Sequence, residues 1–302
     1  MNSRTDSLVP VAPQSSTQLV ARAAVYAEES KSAATRAVYE TSFHAFLEWA
    51  NENGQPALPT TLAALTCYCA AMADRGYAVA TINKAVAGIA SVHHDAGHDM
   101  PRGRAMAQVM AGIRRRLGVK QARKSPILVD DLRKMVAVSG LRDRALLLVG
   151  FLGAFRRSEL AGICVEDVKW VDGGIEILLR RSKTDQDGAG RVVGLPYAED
   201  PRMCPCRALA AWLVAGRIST GRIFTVNGHS VARIVKAAAE KAGVEGDFSG
   251  HSLRAGFVTS AAAAGHSLQS MMQQTGHRSI KTIQGYIRHA SVWADNGAKG
   301  LL

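Results

Sequence analysis

Long apolar runs are absent from this chain of 302 residues. No stretch approaches the roughly 18 residues of a membrane-spanning helix, so no membrane association is expected. The start, MNSRTDSLVPVAPQSSTQLV, is polar and interrupted by Pro10 and Pro13, and it lacks the basic head and apolar block of a signal peptide. Cysteine is scarce: Cys67, Cys69, Cys164, Cys204 and Cys206 make an odd count without regular spacing. That pattern excludes a disulfide framework and suits a reducing cytosol. Cys204 and Cys206 have no second cysteine pair to complete a zinc site. The glycines between 173 and 190 form no Gly-x-Gly-x-x-Gly phosphate loop and read as turns. Acidic residues are also in short supply, with 25 Asp and Glu against 37 Lys and Arg, for a net charge of +12. A globular chain this basic meets a polyanion, and nucleic acid is the default candidate. With 47% hydrophobic and 21% charged residues, the chain has the balance of a folded protein.

What is present divides at a basic stretch. Residues 1–30 read as a mostly flexible arm. Ser32 to Asn53 carries Val38, Phe43, Phe46, Leu47 and Ala50 at helical spacing, with Gly54 as a stop. Further helices are expected from Pro59-Thr60 to Arg75, from about Thr81 to Gly97, and from Arg104 to Leu117 before Gly118. No strand pattern precedes residue 170, so residues 31–118 read as a helical domain. Residues 119–126, Val-Lys-Gln-Ala-Arg-Lys-Ser-Pro, form a polar basic linker. It is read as a strap across DNA through Lys120, Arg123 and Lys124, continuing the basic run Arg114, Arg115 and Arg116.

Residues 127–302 read as mixed. Helices are expected over Leu128–Ser139, Leu141–Phe155, Ser158–Ile163, Cys206–Ala215, Ser230–Ala242, Ser252–Ala264, Ser267–Thr275 and Ser279–His289. Gly174–Arg180 and Gly190–Leu195 read as a strand pair across the turn Asp185-Gln-Asp-Gly188. The predicted class is mainly α with a small antiparallel sheet.

Five segments of this half concentrate chemistry: Phe155-Arg-Arg-Ser-Glu-Leu160, Arg181-Ser-Lys-Thr184, His251-Ser-Leu-Arg254, Thr275-Gly-His277 and Gly285-Tyr-Ile-Arg288. Guanidinium groups match phosphate with paired planar donors, so Arg156 and Arg254 are candidates to grip one phosphodiester. His251 lies three residues before Arg254, which puts both on one helix face. Histidines there donate to a phosphate oxygen or relay a proton, and His277 is a further donor. Lys183, at the mouth of the hairpin, suits a general acid for a leaving oxygen. Tyr286 is a nucleophile whose ionisation clustered cations favour. Glu159 reads as a support for the arginine. No metal and no cofactor are required.

In the order Arg, Lys, His-x-x-Arg, His, Tyr, and in the nine-residue step from His277 to Tyr286, the chain resembles the tyrosine recombinase (phage integrase) family. Its spacing is most similar to the compact Cre-type members, and the resemblance covers nearly everything after residue 30. The family's Arg-x-Ser-Glu pattern selects Arg156 over Arg157. The resemblance implies a helical core-binding domain followed by a catalytic domain. It implies attack by Tyr286 to give a 3′-phosphotyrosyl intermediate and a free 5′-hydroxyl, without metal, and strand exchange through a Holliday junction. It also implies a homotetramer on two DNA sites with inverted-repeat half-sites. In Cre-type relatives the segment after the tyrosine docks into a neighbouring subunit; Val292, Trp293 and Leu301 are the anchors expected here. Thr81, Asn83 and Lys84 are candidates for groove or phosphate contacts. The expected location is cytoplasmic, on the nucleoid. A type IB topoisomerase-like relaxase and a catalytically silent DNA-binding protein of the same fold remain alternatives. His93, His94 and His98 lack a further ligand for zinc and read as a helix end near DNA.

Overall fold

The computed structural model describes residues 16–118, 124–180 and 190–277, together with 279, 280, 283 and 285. The chain divides into two compact units, Met1–Ala122 and Arg123–Leu302. Among the described residues no helix is long and apolar enough to cross a membrane, and no three His, Cys, Asp or Glu side chains gather as a metal site.

The first unit is helical: α1 (Ser16–Glu29), α2 (Ala33–Glu52), α3 (Leu62–Asp74), α4 (Val79–Asp95) and α5 (Arg104–Leu117). Helix α1 departs from the flexible arm expected for residues 1–30. The prolines that suggested disorder end at Pro13, and Leu19, Val20, Val25 and Tyr26 on α1 are all exposed. Ser32 caps α2 by accepting from the Thr35 N–H, and Thr61 does the same for α3 through Ala64. The core is an aromatic cluster in which Phe46 and Tyr68 meet edge to face at 5.0 Å. Trp49 lies 5.2 Å from Tyr68.

His93 lies in the last turn of α4, the helix end that the sequence suggested, but its side chain is fully buried. Its Nε2 accepts the Thr60 backbone N–H at 2.9 Å, and its Nδ1 sits 2.9 Å from the Ile89 carbonyl. It is a packing histidine that satisfies the loop before α3.

The second unit contains α6 (Val129–Ala137), α7 (Leu141–Leu152), α8 (Arg157–Gly162), β1 (Val168–Val171), β2 (Gly174–Leu179), β3 (Arg191–Pro196), α9 (Pro205–Ala215), α10 (Gly228–Lys241), α11 (Ser252–Ala263) and α12 (Leu268–Thr275). Ala145 through Phe151 are buried without interruption, so α7 is the central helix, as an all-round apolar helix must be. The sheet is antiparallel in the order β1-β2-β3. Ile175 pairs with Leu195 and Ile177 with Val193, which turns four apolar side chains onto the helical core. Strand β1 begins at Val168, slightly before the point where strands were expected; four residues with both ends half-buried give too short an alternation to read.

Cys204 and Cys206 are buried at the start of α9, and burial pushes the Cys206 thiol up to about 11. The chain entering this unit is stitched to the segment that leads into α11. Ser125 N–H donates to the Asp247 carbonyl at 2.9 Å, and Ile127 N–H to the Ser252 carbonyl at 3.1 Å. Gly256 lets α11 lie directly against the entering segment, since a Cβ there would stand 1.8 Å from the Ile127 carbonyl oxygen.

Candidate active site

The turn from α7 to α8 supplies the first part of the site. Ala154 sits at φ 47°, a left-handed conformation that costs an L-residue about 1–2 kcal/mol. Its carbonyl accepts from Arg254 Nη1 at 2.6 Å. Arg156 follows as the residue that caps α8, and Glu159 folds back onto it. Glu159 Oε2 accepts the Arg156 backbone N–H at 2.9 Å, while Oε1 accepts from Arg156 Nη1 at 2.6 Å. The Glu159 side chain is only 2% exposed. A carboxylate that buried persists because cations surround it.

Helix α11 brings Arg254, a guanidinium 1% exposed and the largest of the fully buried side chains. His251 stands one turn earlier, at the mouth of the same helix. It is open to solvent on one side, yet desolvation by the surrounding chain holds its pKa below the ordinary histidine value. The charges of Arg254, Arg156 and Arg157 act in the same direction.

Helix α12 ends at Thr275, and Gly276 turns the chain at φ 66° to present His277. Glycine is required there on two counts: the left-handed conformation, and an Arg191 guanidinium that a Cβ would meet at 2.8 Å. His277 Nε2 lies 3.0 Å from Arg254 Nη2, and its Nδ1 lies 2.8 Å from Thr275 Oγ1. Burial, then the charges of Arg254, Arg156, His251 and Arg191, push the His277 pKa down to about 3.

Arg191, the first residue of β3, was not among the candidates from sequence. Its Nη1 donates to the Gln274 carbonyl at 2.7 Å, and its Nη2 stands 3.6 Å from Glu159 Oε2. Burial and the Arg156 charge hold it below the usual guanidinium value, against the pull of Glu159. Gln274 ties the same corner together by donating to the carbonyls of Leu152 and Gly194. An arginine opening an otherwise apolar strand was the available signal for Arg191. Nothing in the sequence marked Gln274 or Ala154.

The structure therefore brings Arg156, Glu159, His251, Arg254 and His277 into one cluster and adds Arg191. Among the described residues, three guanidiniums against one carboxylate leave a strong positive excess in a poorly solvated place. Such a site is built to receive an anion with several acceptor oxygens. Lys183 and Tyr286 lie outside the described residues, as do Lys120 and Arg123. In the first unit, Asn83 and Lys84 are exposed near the start of α4 and Thr81 is half-buried. That helix begins at Val79, so all three lie within its first two turns. Arg114, Arg115 and Arg116 are exposed in the last turn of α5, where cations also complement the helix dipole. Arg116 is within 3.5 Å of Asp74. Lys124 is engaged within its own unit, 2.6 Å from Asp247.

Comparison with known proteins gives the family. Residues 121–291 match the phage integrase family. The integrase/recombinase xerD homolog of Selenomonas ruminantium is 36% identical over 292 residues, covering 89% of this chain and 85% of that protein. Recombinase cre of Escherichia phage P1 is 25% identical over 274 residues, covering 80% of each chain. In fold, the chain is similar to lambda integrase (residues 75–356) bound to DNA, with a TM-score of 0.62, 18% identity, and coverage of 93% and 97% of the two chains. With the family matched across more than half its length and a relative this similar across most of the rest, the chain belongs to the phage integrase family.

Proposed function

We propose that this protein is a site-specific recombinase that cuts and rejoins DNA through Tyr286. The observation that carries the reading is the cluster of buried Arg254 and half-buried Arg156 and Arg191 around His277, with Glu159 as its one carboxylate among the described residues. Arg156 and Arg254 bind the non-bridging oxygens of the scissile phosphate, where charge grows in the transition state. Glu159 holds Arg156 in place. The Tyr286 hydroxyl oxygen attacks phosphorus in line, and the bond to the 5′-oxygen breaks. Lys183 gives that oxygen its proton. The products are a 3′-phosphotyrosyl linkage and a 5′-hydroxyl. Attack by a 5′-hydroxyl from a second DNA site reverses the chemistry and exchanges strands, and a second round resolves the resulting Holliday junction. No step calls on a metal ion.

Residues 31–118 act as the domain that grips the core site, and the linker 119–126 joins it to the catalytic domain 127–302. Thr81, Asn83 and Lys84, the run Arg114–Arg116, and Lys120, Arg123 and Lys124 contact DNA. The partner is duplex DNA with inverted-repeat half-sites, held by four protomers whose segments beyond Tyr286 dock through Val292, Trp293 and Leu301. The site of action is the nucleoid.

The test is a suicide substrate nicked beside the scissile phosphate. The native chain should form a covalent protein–DNA adduct, and Tyr286→Phe should not. No adduct from either protein would refute catalysis. Relaxation of any supercoiled plasmid without recombination between two cloned sites would refute site specificity. Loss of residues 291–302 should abolish pairing of two sites; unaltered pairing would remove the docking role.

A further inference from the structure

Thr275 closes α12 with its side chain fully buried. Its Oγ1 stands 2.6 Å from the Met271 carbonyl oxygen. A carbonyl only accepts, so the single hydroxyl hydrogen points there. The same Oγ1 is 2.8 Å from His277 Nδ1. With its hydrogen already committed, that oxygen accepts from Nδ1, and Nδ1 carries the ring proton. The other side of the ring gives the same answer independently. His277 Nε2 is 3.0 Å from Arg254 Nη2, and a guanidinium only donates, so Nε2 is the acceptor.

We propose that Thr275 is a positioning residue that locks His277 in its Nδ1–H tautomer and presents Nε2 as the acceptor facing the cationic cluster. The hydrogen bonds run in one direction, from Arg254 through the His277 ring and the Thr275 hydroxyl to the Met271 carbonyl. The lock fixes both the ring plane and the proton, as a histidine's partner on one nitrogen does for the other. An apolar side chain at position 275 would leave the Nδ1–H without this acceptor, so the ring would turn out of its contact with Arg254, after which no donor opposes a proton on Nε2.

The meaning of the lock for catalysis rests on the recombination reading. In the DNA-free protein, neutral His277 holds Arg254 rather than offering a donor. To donate to a phosphate oxygen from Nε2 while Nδ1 remains on Thr275, the ring must take up a second proton. The groups that oppose this are Arg254 on α11, His251 just before that helix, Arg156 before α8 and Arg191 on β3; Glu159 on α8 is a carboxylate that partly offsets them. A bound phosphodiester adds the negative charge that reverses the balance. Thr275 thereby makes His277 a donor only when substrate is present, with proton uptake as the signature.

The experiment uses the full-length chain with nitrogen-15 in its histidines, and long-range nitrogen–proton spectra that separate the two tautomers. Native His277 should show the Nδ1–H pattern without DNA. Thr275→Val should shift the ring toward Nε2–H, and Thr275→Ser should restore the native pattern. Single-turnover cleavage should fall by about 100-fold in the valine variant, the lower end of what a positioned proton-transfer group contributes, with an altered pH profile, and serine should recover both. A native spectrum of the Nε2–H type would overturn the proposal. So would a valine variant with the native tautomer and an unchanged cleavage profile. Native Nδ1–H spectra without any DNA cleavage would support the lock and count against the recombination reading instead.

Discussion

Replacing Glu159 by glutamine tests whether the cationic cluster depends on this buried carboxylate. Glu159 accepts from the Arg156 backbone N–H and from its guanidinium, and stands 3.6 Å from Arg191. An amide has one acceptor oxygen. Turned toward the Arg156 guanidinium, it leaves its NH2 facing the Arg156 N–H and Arg191, donor against donors. Turned the other way, the NH2 faces the guanidinium. Either orientation loses a charge-assisted bond worth about 1.5–3 kcal/mol or leaves a buried N–H unpaired at about 1–3 kcal/mol. Loss of the negative charge among the arginines adds to this. The expected destabilisation is about 3–5 kcal/mol, the usual cost of breaking a buried ion pair from one side.

Urea unfolding, followed on the transition of the second unit, measures that loss. Cleavage of the nicked substrate reads its consequence for Arg156, expected at about 100-fold slower, or close to 3 kcal/mol of transition-state stabilisation. Adding Arg191→Met to Glu159→Gln should recover part of the stability, because a buried cation leaves with its partner, while cleavage stays low. A Glu159→Gln variant within about 1 kcal/mol of the native protein, against the several expected, and cleaving at the native rate, would refute the reasoning.

Gly256→Ala should cost about 3 kcal/mol or more by overpacking and by loss of the bond from Ile127 N–H to Ser252, since its Cβ would fall 1.8 Å from a backbone oxygen; unchanged unfolding in denaturant would mean that α11 and the entering segment are not held together. His93→Phe should weaken the first unit by about 1–3 kcal/mol, because the Thr60 N–H loses its buried acceptor, and unfolding of the intact chain monitored by the aromatic cluster would read it. Stability should also fall on acidification. The His277 pKa is pushed down to about 3, below the ordinary 6.5, so this group's contribution is whole above pH 6.5 and drains away as pH drops toward 3. In His277→Phe the acid limb of the stability profile should flatten, and an unchanged limb would contradict the assignment.

The features that the sequence made legible share one property: their signal is local. Helix α5 runs over Arg104–Leu117 because an apolar face repeats and Gly118 ends it. Strands β2 and β3 alternate on either side of a turn-rich segment. Arg156, His251, Arg254 and His277 stand out because residue types that bind phosphate occur in short motifs in a fixed order. Helix α1 and β1 were harder. A helix whose apolar residues stay exposed has no buried face to impose a period, and four residues hold barely one alternation.

What the sequence could not display is how the motif residues are held. Arg254 is anchored by the Ala154 carbonyl, Arg191 by the Gln274 carbonyl, and His277 through Thr275 by the Met271 carbonyl. Every residue carries such an acceptor, so nothing in a sequence marks the three that matter. They become specific only where the left-handed turn at Ala154, the end of α12 and the first residue of β3 come together. Side chains supply the charge of the site, but main-chain oxygens decide where each donor points. Substitutions that shift the backbone at Ala154 or Gly276 should therefore impair the cluster as severely as loss of a charged residue, although neither position carries a reactive group.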